Sequence, residues 1–212
     1  MKENAPPGAS LIPASAWALL AGLVAAWLAV VLLAPEEVTL GGGIRIVYVH
    51  VALIWAAMAG LLLAGGLGGL ALWRSRPRVY RWMTVVAWVG LLLFGAGVGT
   101  SLIAEIVNWG GIAWNEPRTA ANLNLLAGAT IAQVIASWID RPRPAALLNI
   151  AVAAAVVWTT VTTELQLHPA DPVGGSGSAA IQLTFYGLFA LTALVGAWLI
   201  WAVNRRMCDP TR

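Results

Sequence analysis

Residues Arg45–Met58 read RIVYVHVALIWAAM, apolar almost throughout yet carrying Arg45 and, five positions on, His50. An ionisable side chain is costly to hold in hydrocarbon, so one inside a membrane-grade segment points first to function. The only other histidine, His168, lies more than a hundred residues further along. The reading of the chain turns on whether these two imidazoles share a face.

The stretch opens a longer apolar run, Ile44–Trp73. A helix rises ~1.5 Å per residue and needs ~20 apolar residues to cross the hydrocarbon, so this run is long enough to span with tilt. Five more runs meet the same criterion: Ala14–Ala34, Trp82–Ile106, Thr119–Ile139, Pro144–Thr163 and Ala179–Val203. The fold class is therefore all-α, a bundle of six transmembrane helices over residues 14–203, with terminal tails at 1–13 and 204–212. The first tail, MKENAPPGASLIPAS to its junction with the first span, reads as disordered and not as a signal peptide, since its one Lys is balanced by one Glu.

Composition agrees. The chain of 212 residues is 60% hydrophobic and only 10% charged, where a soluble domain is nearer ~25% charged. A net charge of +3, split into short clusters at the ends of apolar runs, is a topology signal and speaks against nucleic acid as a partner. The single cysteine, Cys208, excludes an intramolecular disulfide, a CxxC pair and a cysteine metal cluster.

Ten of the twelve basic residues fall on one set of loops and tails: Lys2, Arg74, Arg76, Arg78, Arg81, Arg141, Arg143, Arg205, Arg206 and Arg212. The positive-inside rule makes that side, and both termini, cytoplasmic. The other side holds only Arg45 and Arg118, with six of the nine acidic residues. Its loops are Pro35–Gly43, Glu105–Arg118 and Glu164–Ser178. His50 sits one to two turns inside that end and His168 lies in its last loop. Both histidines, both outer arginines, Trp109 and Trp114 thus gather at one face.

Two imidazoles facing each other can hold a metal from both axial sides, and haem iron takes such a pair together with an apolar slot for its ring. Trp55, Trp109 and Trp114 can cover the ring by stacking. Arg45 and Arg118 suit the two propionates. Each residue also has a plainer reading. His50 can bridge helices by a hydrogen bond, and His168 can be solvated. The tryptophans can anchor at the interface, the arginines can snorkel, and Glu116 can pair with Arg118 or face water. The glycines and alanines of the second and third spans (Gly60, Gly65, Gly66, Gly68, Gly69, Gly95, Gly97, Gly99 among them) read as close helix packing. Asn122, Asn124 and Gln133 on the fourth span are the best candidates for a polar path, should the protein be a small-solute transporter. No Walker loop, GxSxG or HExxH is present, so an enzyme is not expected.

The first motif resembles the haem exporter protein C family of the cytochrome c maturation system. That family carries R-I-x-Y-x-H-V-P-x-x-W-x-x-M. Here Arg45, Ile46, Tyr48, His50, Val51, Trp55 and Met58 match, and Ala52 stands where the proline would be. Leu167–His168 matches the L-H of the family's last outer loop. The family's tryptophan-rich motif, W-G-x-W-W-x-W-D-A-R, reads WGGIAWNEPR at Trp109–Arg118: Trp109, Gly110 and Arg118 hold, Glu116 replaces the aspartate, and most of the aromatic residues are gone.

The resemblance implies His50 and His168 as axial ligands of a transiently bound b-type haem, with Trp55, Trp109, Trp114, Arg45, Arg118 and Glu116 around it. It implies a multi-pass protein of a bacterial or archaeal cytoplasmic membrane. Its implied partners are a membrane-anchored haem chaperone and an ABC-type ATPase with its membrane subunit. The eroded tryptophan motif keeps a second expectation open, a non-catalytic scaffold subunit of a membrane complex with a degenerate haem site.

Overall fold

The computed structural model describes residues 12–139, 141–164 and 176–207. Six α-helices follow in chain order: α1 (Ala14–Leu33), α2 (Ile44–Arg74), α3 (Pro77–Trp109), α4 (Pro117–Trp138), α5 (Pro142–Thr162) and α6 (Ala179–Met207). All six are long and apolar enough to cross a membrane, and the chain is a multi-pass membrane protein. Among the described residues extended pairing is confined to an isolated bridge between Glu37 and Gly41, in the turn before α2.

The spans fall where hydropathy places them, but three start earlier. α3, α4 and α5 each open on a proline, Pro77, Pro117 and Pro142. Proline's fixed φ suits the first helical turn, where its missing N–H has no intrahelical partner to lose. Apolar runs do not register such starts. α3 also runs three residues past Ile106, to Trp109, ending on Gly110 in the left-handed conformation at φ 79°. Glu105, expected to open a loop, is therefore helical. α6 continues to Met207 and so carries Arg205 and Arg206 inside the helix.

α2 is the centre of the bundle. It packs along α3 most extensively, then along α5 and α6. The glycines make these contacts close. A Cβ on Gly60 would sit 3.2 Å from the Cα of Gly90 on α3. One on Gly65 would collide with Ala153, and one on Gly68 would lie 2.8 Å from the carbonyl of Ala146, both on α5. Gly97 leaves room for Ile54 in the same way. Gly66, Gly69 and Gly99 face open space, so close packing accounts for only part of the glycine content.

The main apolar core joins Ala57 and Leu61 of α2 with Leu91, Phe94 and Val98 of α3, Leu125 and Ala129 of α4, and Val152 and Val156 of α5. α4 and α5 are clamped by Gln133 Nε2 donating to Asn149 Oδ1 at 3.0 Å, both side chains buried. α1 buries none of its own residues and is held on α6 by two indoles. Trp27 Nε1 donates to Thr192 Oγ1 at 3.0 Å, and Trp198 Nε1 to the carbonyl of Ala16 at 2.9 Å.

The two ends of the bundle differ in charge. The end formed by the α2–α3, α4–α5 and α6 termini holds Arg74, Arg76, Arg78, Arg81, Arg141, Arg143, Arg205 and Arg206. The opposite end holds Glu36, Glu37, Arg45, Glu105, Glu116 and Arg118. They are termed the arginine end and the histidine end.

Candidate functional site

On α2, His50, Val51, Ile54, Trp55, Met58 and Leu62 form one stripe. Their spacing follows the helical repeat, which stacks positions three and four apart on one face. On α4, Arg118, Thr119, Asn122 and Leu125 form a second stripe by the same rule. These stripes, with Phe94 and Ser101 of α3, Thr159 and Thr160 of α5 and Phe189 of α6, line a cavity of about 550 Å³. That size lies within the ~300–1,000 Å³ of small-molecule and cofactor sites.

The cavity is apolar along its walls and polar toward the histidine end. Arg118 Nη1 donates to the carbonyl of Thr159 at 3.5 Å, which ties α4 to α5. Trp55 is half exposed and stands edge-on to Phe185 at 5.2 Å and to Phe189 at 6.1 Å between ring centroids. Those contacts fix the indole at the boundary between the cavity and α6.

The structure thus brings His50, Trp55 and Arg118 together and leaves four other sequence candidates outside the cavity lining. Arg45 turns to the α1–α2 connection, where its Nε donates to the carbonyl of Ala34 at 3.4 Å and its Nη2 lies 3.8 Å from Glu36 Oε1. Trp109, the last residue of α3, and Trp114, between α3 and α4, are 57% and 65% exposed. Glu116, 2% exposed, precedes α4, its backbone carbonyl accepting from the N–H of Ala120 at 3.2 Å. His168 lies outside the described residues.

Glu105 is a residue the sequence reading passed over. It is 4% exposed. Its Oε2 accepts the backbone N–H of Ala113 at 2.8 Å and its Oε1 accepts the hydroxyl of Thr119 at 2.8 Å. One carboxyl group therefore closes the α3–α4 connection and aims Thr119, a cavity residue. The signal that singled out His50, an ionisable group inside an apolar run, applies equally to Glu105. Nearby, Asn108 Nδ2 donates to the carbonyl of Gly43 at 3.3 Å, which ties the end of α3 to the start of α2.

Comparison with protein-family models and with curated proteins gives no match to this sequence. The polar residues of α4 do not form one transport path. Asn122 lines the His50 cavity, Asn124 lines a separate groove between α4 and α5, and Gln133 is spent on Asn149.

Among the described residues no group of three or more His, Cys, Asp or Glu side chains could hold a bare metal ion. What the cavity holds is a single imidazole and a guanidinium beside an apolar slot, with the hydroxyls of Thr119, Thr159 and Thr160 already donating to Glu105 and to backbone carbonyls. This donor set fits a large, flat, mostly apolar ligand that bears carboxylates and can take an axial nitrogen.

Proposed function

We propose that the protein binds haem as cargo in the His50 cavity and passes it to a membrane-anchored haem chaperone on the same side of the membrane. The observation that supports this reading is the shared cavity of His50, Trp55 and Arg118. Each residue has a role that its chemistry suits. The neutral imidazole of His50 gives iron one axial nitrogen. Arg118 offers a planar fork to a propionate. Val51, Ile54, Met58, Leu62 and Phe94 exclude water from the ring, and Trp55 covers its edge. His168, which follows α5 and precedes α6 in the sequence, is assigned the second nitrogen.

In this reading the arginine end faces the cytoplasm, as the positive-inside rule requires. The cargo is then held at the outer face, where a chaperone can replace one histidine by a ligand of its own. Ligand exchange of that kind is near balanced. Directional transfer needs a second free-energy source that favours one state of the bundle, and an ABC-type ATPase with its membrane subunit provides it.

Exposure of Trp109 and Trp114 favours a second reading, in which this end of the bundle docks other subunits and the protein acts as a scaffold. Purification from a haem-replete membrane separates the two. Cargo binding predicts near-stoichiometric porphyrin in the wild type, reduced severalfold by Arg118→Gln or by His50→Ala, and lost when His50 and His168 are both changed to Ala. Stable partner complexes without porphyrin would support the scaffold instead.

A further inference from the structure

The arginine end carries a second pocket, of about 540 Å³, lined by Ser75, Tyr80, Arg141, Pro142, Arg143 and Pro144. It lies where the α2–α3 turn meets the start of α5. Ser75 holds the turn open in the left-handed conformation, at φ 44°. Ala71, Met83, Ala145 and Ala146 form the buried floor beneath, with Tyr80 packed against it. Because that floor fixes Tyr80 and the first turn of α5, the pocket wall is set by core packing.

We propose that this pocket binds the phosphate of an anionic lipid headgroup, independently of the His50 cavity. Three observations carry the assignment. Arg141 and Arg143 both line the pocket and neither makes an ion pair among the described residues. Among the described residues charge at this end is one-sided: eight arginines stand at or near the helix termini, and the neighbouring acid in the sequence, Asp140, lies outside the described residues. The depth is that of lipid headgroups, for Trp73 and Trp138, two and three residues from the pocket's Ser75 and Arg141, are 77% and 84% exposed. Tryptophan prefers that level because its ring is apolar and its N–H is not. Basic pockets between helix ends at this level are suited to phosphate-bearing headgroups.

Other arginines at the same end are differently engaged. The guanidiniums of Arg74 and Arg205 lie over the Trp73 and Trp201 rings, at 4.8 and 5.5 Å from their centroids. Arg205 and Arg206 on α6 do not line the pocket, which makes them a matched control for charge alone.

The test is native mass spectrometry of the full-length protein, released from nanodiscs containing phosphatidylglycerol or, separately, phosphatidylcholine. The wild type is expected to retain phosphatidylglycerol and not phosphatidylcholine. Arg141→Gln with Arg143→Gln should lower retention roughly thirtyfold, at about fivefold for each basic group beside an anionic headgroup. Arg205→Gln with Arg206→Gln, which removes the same charge outside the pocket, should leave retention within twofold of wild type. Equal loss in both double variants, or equal retention of the two lipids, would overturn the proposal. Excess inorganic phosphate should not displace the lipid; displacement would identify the pocket as a free-phosphate site and overturn the lipid assignment.

Discussion

The Glu105 carboxyl and the Thr119 hydroxyl meet at 2.8 Å, joining α3 to α4 beneath the mouth of the His50 cavity. The other oxygen of the same carboxyl takes the N–H of Ala113. Buried groups that lose such partners incur the desolvation cost without its compensation, roughly 1–3 kcal/mol. Glu105→Ala should therefore lower unfolding stability in detergent by about 2 kcal/mol. It should also weaken haem binding, because Thr119 and the adjacent Arg118 both line the cavity. Thr119→Val, which removes one of the two bonds, should fall between the variant and the wild type. Unchanged stability in Glu105→Ala would contradict the closing role given to this carboxyl.

Two neighbouring glycines of α2 should behave oppositely. Gly65 lies against Ala153 and the carbonyl of Asn149, whereas Gly66 has nothing within 4 Å of where a Cβ would stand. Gly65→Ala should cost about 1–3 kcal/mol by overpacking the α2–α5 contact. Gly66→Ala should be neutral or stabilising by up to ~1 kcal/mol, since alanine is the better helix former. Thermal unfolding of the two variants side by side is the measurement, and equal effects would refute the packing assigned to α2 and α5.

The turn before α2 should be sensitive to acid. Glu37 accepts the backbone N–H of Leu40 at 2.9 Å and of Thr39 at 2.8 Å, and also the Thr39 hydroxyl at 3.2 Å. The Leu40 bond first and the Thr39 bond next hold its carboxyl below the ordinary value of 4.5. A depressed folded-state pKa stabilises above the unfolded value and loses that contribution as pH falls through the folded one. Amide exchange at Leu40 should thus show protection at neutral pH that is lost in acid, as pH falls through a carboxyl value held below the ordinary 4.5. Glu37→Gln should exchange faster at neutral pH and lose the acid-dependent step. A pH-independent protection factor in the wild type would dispose of this account.

Much of this architecture could be read from the chain. Six apolar runs separated by charged ends gave span number and order, because bilayer thickness imposes a length that few soluble segments reach. The helix starts at Pro77, Pro117 and Pro142 were missed by a few residues, since hydropathy does not register the first turn. His50, Trp55 and Arg118 were legible as site candidates, and the same helical spacing places Asn122 beside Arg118. The settings of Arg45, Trp109 and Trp114 were not. Which way a residue near a helix end turns depends on loop geometry and on neighbours distant in sequence, as the contact of Arg45 with Glu36 shows. Glu105 was grouped with the outer loop because its burial arises from Ala113 and Thr119 folding back over it.

The most direct measurement is the absorption spectrum of the haem-loaded full-length protein, read for the coordination of iron. A six-coordinate, low-spin, bis-histidine spectrum is predicted for the wild type. Changing either His50 or His168 to Ala should give a high-spin five-coordinate spectrum with weaker binding, and changing both should abolish binding. A double variant that keeps full haem with an unchanged low-spin spectrum would contradict the account.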